Sequence, residues 1–378
     1  MAKILRSCYY PPPMTNSDHL PDIAYWVSLS GFFGGPRLRK LWERFDSGAA
    51  AWRAGRENLS RLNFTPETIE KFLDWRQKTE PAECLKILNA EAIKVVMLND
   101  PEYPPALQKL IDSPAILFYK GALPAEANTL AIVGTRKPTV YGRTVALNMA
   151  REAAAAGLTI ISGLARGIDA IAHEAALERG GRAVAVIGSG LDRAGLYPPE
   201  HWGLAENIIS SGGCVISEYP PLTKPAAHQF PERNRIIAGL AAATLVVEAP
   251  EKSGALITAF QALEYGREVL AIPGPITEPN AAGTNRLLKL GAHVITSPTD
   301  LLNFFNLSDR RATAPAPAIS PDEQNILKLF SSVPQTIDDV ANKSSLPIAK
   351  ILINVSSLEL AGLIQDVGGR RYIILSGG

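Results

Sequence analysis

The chain has 378 residues, 46% hydrophobic and 20% charged, with 38 Lys and Arg against 37 Asp and Glu for a formal net charge of +1. That length allows roughly two to three domains, and the composition excludes global disorder and a uniformly basic nucleic-acid coat, so any polyanion site has to be local. No apolar run is long enough to span a membrane. Cys8, Cys84 and Cys214 lie far apart and form no Cys-x-x-Cys pair or Cys/His cluster, so neither a disulfide framework, a metal nor a cofactor is expected. Lys3 and Arg6 lead into Cys8-Tyr9-Tyr10-Pro11-Pro12-Pro13 rather than a continuous apolar segment, which argues against a signal peptide and for a reducing cytoplasm.

Residues 1–88 are expected to form a helical domain of helix-hairpin-helix or SAM-like type. Leu20, Ile23, Trp26 and Leu29, then Leu38, Leu41, Trp42 and Phe45, recur at helical spacing. The segment Leu29-Ser30-Gly31-Phe32-Phe33-Gly34-Gly35-Pro36 is either a phosphate-binding glycine turn or a packing hairpin.

Residues 89–306 alternate short aliphatic runs with helix-length segments, the pattern of a parallel sheet covered on both faces. The runs are Ala131–Val133, Thr159–Ile161, Ala183–Ile187, Val215-Ile216, Leu245–Val247, Val269–Ala271 and Val294-Ile295, with Val95–Met97 and Ile116–Phe118 extending the sheet. The predicted fold class is therefore α/β, an extended Rossmann-like parallel sheet. Residues 307–319, rich in Ala and Pro, read as an extended linker. Residues 320–378 suit three short helices and a two-stranded wing, a winged helix. That segment carries five cations (Lys328, Lys343, Lys350, Arg370, Arg371) against six anions (Asp322, Glu323, Asp338, Asp339, Glu359, Asp366), which does not favour a duplex-binding role.

Ligands of such sheets bind beyond the carboxyl ends of the strands, so the loops that follow the runs carry the functional information. One reads Gly134-Thr135-Arg136-Lys137, with Tyr141-Gly142-Arg143 entering the next helix. A second reads Ser162-Gly163-Leu164-Ala165-Arg166-Gly167, and a third places Lys224 and Phe230 ahead of Arg233-Asn234-Arg235. A fourth reads Lys252-Ser253-Gly254. Glycine permits close backbone approach, free N–H groups and helix dipoles favour anions, and guanidinium groups pair with phosphate. Tight turns alone do not require the recurring arginines, so one shared anion surface is expected. Arg233 or Arg235 has the alternative of pairing with Glu232, Glu218 or Glu248. Asp169 and His173, one helical turn apart, fit a capping acid above a packed histidine better than a metal or acid–base pair. Nicotinamide binding is not supported, because Gly188-Ser189-Gly190 is followed by Arg193 where a third glycine belongs. ATPase chemistry lacks its Gly-Lys-Ser/Thr.

The strings Ile132–Arg136, Ser162–Asp169 with Ala172-His173, Arg233–Leu240, Val247–Ala249, Ser253–Ala259, Gly266–Val269, Pro273-Gly274 and Gly283–Asn285 resemble the DNA-processing protein A (DprA/Smf) family. The resemblance implies a dimeric, non-catalytic protein that binds single-stranded DNA and loads the RecA recombinase on DNA taken up in natural transformation. It places Arg136 and Arg166 in the family's basic pocket, while Lys224 and Phe230 fall in a more variable loop. It also implies dimer pairing near residues 285–305. There Leu287, Leu288, Leu290, Leu301, Leu302, Phe304 and Phe305 either build that interface or complete the core. The enzymatic alternative, a nucleotide phosphoribohydrolase of the lysine-decarboxylase-like group, wants a carboxylate in the first turn of a helix where this chain has Ser253–Ala259. A regulator reading duplex DNA with helix 347–360 would have only Lys350 as a cation there.

Overall fold

The computed structural model describes residues 20–307 and 320–374, apart from Glu126, Ser332, Ser345, Ala361 and Gly362. Residues 308–319, almost all of the expected linker, lie outside the described residues, and Leu307 is buried in the core.

Six helices come first: α1 (Asp22–Phe32), α2 (Gly35–Arg44), α3 (Gly48–Trp52), α4 (Arg56–Ser60), α5 (Pro66–Gln77) and α6 (Pro81–Ala90). Proline in the first turn of α2, α5 and α6 is favourable, because those N–H groups have no intrahelical partner. An aromatic cluster holds the bundle together, with Phe33 and Phe72 ring centres 4.8 Å apart and Trp52 edge-on to Trp75 at 5.6 Å.

The sheet contains β1 (Lys94–Met97), β2 (Ile116–Gly121), β3 (Thr129–Val133), β4 (Thr159–Ser162), β5 (Ala183–Ile187), β6 (Cys214–Ser217), β7 (Ala243–Val246), β8 (Glu268–Ala271) and β9 (His293–Val294). Their order is β1-β2-β6-β5-β4-β3-β7-β8-β9. From β6 to β9 every pairing is parallel, whereas β1 and β2 form an antiparallel extension at one edge. Alternate strand residues feed opposite cores: Leu130 and Ile132 face α8 (Val140–Ala155) and α9 (Ile168–Glu178), while Ala131 and Val133 face α11 (Gln229–Leu240) and α12 (Gly254–Glu264). Burial on both faces explains the continuous apolar runs. Helix α7 (Pro105–Gln108) packs on α11, α10 (Trp202–Ser210) covers β5 and β6, and α13 (Ala282–Lys289) and α14 (Pro298–Phe304) finish the far edge.

Residues 320–374 form a separate core around Ile326, Val340, Ile351 and Leu358. Helices α15 (Pro321–Leu327), α16 (Ile337–Ala341) and α17 (Ile348–Leu360) precede a wing of β11 (Ile364–Asp366) and β12 (Arg371–Ile374), with β10 (Gln335–Thr336) on β12. This is a winged helix. Among the described residues no helix is long and apolar enough to cross a membrane.

The glycine turn before α2 packs against the sheet domain. A Cβ on Gly35 would lie 2.4 Å from Glu218 Oε1, and Glu218 is itself held by Arg235 Nη2 at 2.6 Å. Arg39 Nη1 donates to Ser113 O at 3.1 Å in the same contact. The turn is thus occupied by a protein carboxylate, the packing alternative of the two. Gly35→Ala is expected to lower stability by about 1–3 kcal/mol, since the buried Glu218 carboxylate and its Arg235 partner must shift to admit the methyl; a shift in the urea midpoint measures it.

Candidate nucleic-acid interface

The chain runs from β3 through α8 to β4 on one side and from β7 through α12 to β8 on the other, so a crevice opens where these two neighbouring strands diverge. Thr135 N donates to Glu248 O at 2.7 Å, and Ile168 N donates to Thr135 O at 3.2 Å, which pins the β3 loop between β7 and α9. Gly167 closes this contact with φ +80°, and a Cβ there would sit 2.4 Å from Thr135 O. The result is a cavity of about 460 Å³ at the end of the sheet.

Gly134, Thr135 and Arg136 form one wall of the cavity. Lys252, Ser253 and Gly254 form another, at the N-terminus of α12, with Ser253 Oγ accepting from Ala255 N at 3.3 Å. Phe230, Arg233 and Asn234 come from α11, and Asn234 Nδ2 donates to Gly254 O at 3.2 Å. The exposed Arg136 guanidinium lies 5.5 Å from the centre of the Phe230 ring, and the Tyr197 ring lies 5.6 Å from it, tilted by 52°. Arg136, Phe230, Gly163 and Arg166 also meet Tyr197 and Pro198 at a small adjoining recess. No carboxylate pairs with Arg136, Lys137 or Lys252 among the described residues. Arg136 and Lys252 line the cavity together with an aromatic ring, an arrangement suited to phosphates with a base stacked beside them, while Lys137 follows in the same loop outside the lining.

Beneath this surface Arg233 is buried and acts internally. Its Nη1 donates to Gly163 O at 2.7 Å and to Val186 O, and its guanidinium adjoins the buried Asp169 carboxylate. Asp169 Oδ2 accepts from Gly163 N at 3.0 Å. Burial pushes the Asp169 carboxyl up and the Arg233 guanidinium down to about 10, and their mutual attraction opposes both shifts. His173 is fully buried below, its pKa lowered by burial to about 3, so it is neutral, as expected of a packed histidine.

The remaining expected residues are not gathered at the cavity. Ser162 Oγ is buried and donates to Ile132 O at 2.6 Å. Arg235 pairs with Glu218 and Asp112 beneath α2, because it leaves α11 on the side away from the crevice. Lys224 is exposed on the loop before α11 and does not line the cavity. Arg166 is exposed and paired with Glu200 at 2.5 Å, which lowers the Glu200 pKa. Sequence reasoning missed Tyr197, Pro250 and Thr258. Pro250 follows β7, whereas Tyr197 lies in the long loop after β5 and Thr258 in the second turn of α12, positions that carry no local signal.

Comparison with known proteins identifies the family. Residues 94–306 fit the family model described as DNA recombination-mediator protein A, and residues 310–370 fit the DprA winged helix domain. The chain belongs to the DprA family. Protein Smf of Escherichia coli K12 is 36% identical over 367 residues, covering 92% of this chain and 95% of that relative. DprA of Bacillus subtilis 168 is 42% identical over 222 residues, covering 58% and 73% of the two chains. The X-ray structure of DprA from Streptococcus pneumoniae superposes with a TM-score of 0.62 at 33% identity, over 74% of this chain and 95% of that one. DprA from Helicobacter pylori, a structure described for its single-stranded DNA binding mode, gives 0.51 at 29% identity over 57% and 95%.

Replacing Arg233 tests the buried pair. Asp169 titrates higher folded than unfolded, so its contribution to stability falls as pH rises through that window, and loss of the guanidinium widens the window. Arg233→Met is expected to cost about 3–5 kcal/mol at neutral pH, and less in mild acid. Urea unfolding at two pH values measures both.

Proposed function

We propose that this DprA-family chain binds single-stranded DNA without altering it chemically, holding phosphates at Arg136, Lys137 and Lys252 and stacking a base on Phe230. The observation that carries this reading is the exposed Arg136 guanidinium resting on Phe230 at the mouth of the cavity. Gly134, Thr135, Ser253 and Gly254 supply close backbone approach, and Arg166 exchanges its exposed carboxylate partner for phosphate. Gly163, Gly167, Arg233 and Asn234 shape the wall. The DNA-binding mode described for the H. pylori relative supports the same reading. Few groups in the cavity suit base-edge recognition, so binding is sequence-tolerant.

The phosphoribohydrolase alternative receives no support from the first turn of α12, Gly254-Ala255-Leu256-Ile257. The winged helix fits protein contact better than duplex binding, since Lys350 on α17 pairs with Asp322 at 2.5 Å while Ile348, Leu352 and Ile353 are exposed. In this proposal the bound strand is handed to the RecA recombinase in recombination of incoming DNA, in the cytoplasm.

Arg136→Ala is expected to weaken binding to all single-stranded sequences alike and to lower the salt slope by roughly 0.7, one phosphate contact's worth. Fluorescence anisotropy across a salt series reads both, and an unchanged slope with full affinity removes Arg136 from the site.

The proposed assembly is a homodimer through the far edge of the sheet. Leu287, Leu301 and Leu302 are core residues, whereas Leu290 is 62% exposed and Val294 56% exposed beside the half-buried Phe304 and Phe305. Pairing there sets two cavities on one particle, so a strand bridging them gains from effective concentration. Leu290→Asp is expected to give a folded monomer with weaker binding to long strands; sedimentation of a wild-type monomer at micromolar concentration defeats the proposal.

A further inference from the structure

A second cavity, about 560 Å³, opens on the same end of the sheet, and the function above leaves it unused. It lies between the start of α8 and the segments that follow β7 and β8, with Val140, Tyr141, Ile272, Pro273 and Pro275 as its apolar walls. Three large apolar side chains stand in the open around it: Ile276 is 96% exposed, Val140 56% and Tyr141 47%. The Tyr141 ring is held in place because its hydroxyl donates to Pro273 O at 3.0 Å. Asn280 links the loops that border the two cavities. Lys137, in the loop that lines the first, carries the carbonyl that accepts from Asn280 Nδ2 at 3.1 Å, and Ala249 N donates to Asn280 O at 2.7 Å.

Charge identifies the occupant. Arg136 and Lys137 before the cavity and Arg143 beyond Tyr141 are all exposed, and none pairs with a carboxylate among the described residues. The cavity interior has the opposite character. Glu248 and Glu278 line it, so a phosphate is repelled. Glu248 is already occupied, accepting from Thr139 N at 2.9 Å and from Thr139 Oγ1. An unpaired basic border around an aromatic, acid-floored pocket fits a strand whose phosphates follow the cations while a base turns inward. A plain apolar protein contact does not require that border.

We propose that this cavity is a second base-binding subsite, in which Tyr141 stacks a nucleobase of the same single strand held at the Arg136 and Phe230 cavity, with Lys137 and Arg143 guiding the intervening backbone. It rests on the single-strand reading of the first cavity. The subsite extends the footprint along the sheet end within one protomer.

The test uses the full-length protein, oligothymidylates of increasing length, and fluorescence anisotropy. Tyr141→Leu keeps apolar bulk and removes the ring; it is expected to bind the shortest oligomers as wild type does and to lose about tenfold in affinity for longer ones, the worth of one stacked base. Tyr141→Phe is expected to retain most of the affinity at every length. In addition, photo-crosslinking benzoylphenylalanine placed at the exposed position 276 is expected to join the protein to DNA. If the Tyr141→Leu variant matches wild type at every length while Arg136→Ala still weakens binding, the subsite is overturned and the first cavity stands. If wild type binds none of the oligomers, the first reading fails and takes the subsite with it. Crosslinks that join two copies of the chain and never DNA overturn the subsite by assigning the patch to a protein interface.

Discussion

Arg233 and Asp169, buried side by side at Gly163, are the constraint on which the site depends. One guanidinium ties the carbonyls that end β4 and β5, at Gly163 and Val186, to helix α11, while the carboxylate beside it takes the Gly163 N–H at the start of α9. Loops at strand ends have no ladder of their own, and here a buried guanidinium and a buried carboxylate supply the missing partners. Burying two charges is costly unless each is compensated, and here backbone carbonyls take the guanidinium N–H groups while backbone N–H groups meet the carboxylate.

With that clamp below, the cations above it are left free. Arg233 is spent on structure, and Arg235 is spent on the contact with the N-terminal helices through Glu218. Arg136, Lys137 and Lys252 remain exposed without carboxylate partners among the described residues. A chain of net charge +1 thus presents a local positive surface through a few loop cations without carboxylate partners rather than by accumulating basic residues. The same helix α11 carries Phe230 toward the crevice and Arg235 toward α2, so the N-terminal domain packs on the back of the element that shapes the cavity.

The winged helix follows a different balance. Its core is its own, its helix α17 exposes Ile348, Leu352 and Ile353, and Lys350 is engaged by Asp322. Nothing in that surface offers unpaired positive charge along the helix that reads a groove in duplex-binding relatives of the architecture.

The sequence by itself determined the strands of the sheet, because residues buried on both faces must be continuously apolar, and it determined which loops lie at their carboxyl ends. It also carried the family motifs and the placing of Arg136, Phe230 and Ser253-Gly254 on those loops. Tertiary structure alone decided which arginine faces solvent. Arg233 and Arg235 are two residues apart on one helix, yet one turns under the crevice and the other toward α2, since a helix rotates about 100° per residue and the two faces meet different neighbours. Tertiary structure likewise decided that the Gly34-Gly35 turn meets Glu218, that Ser162 serves the sheet, and that Tyr197 flanks Phe230. Each of these pairings joins residues distant in the chain, and no local pattern encodes the partner.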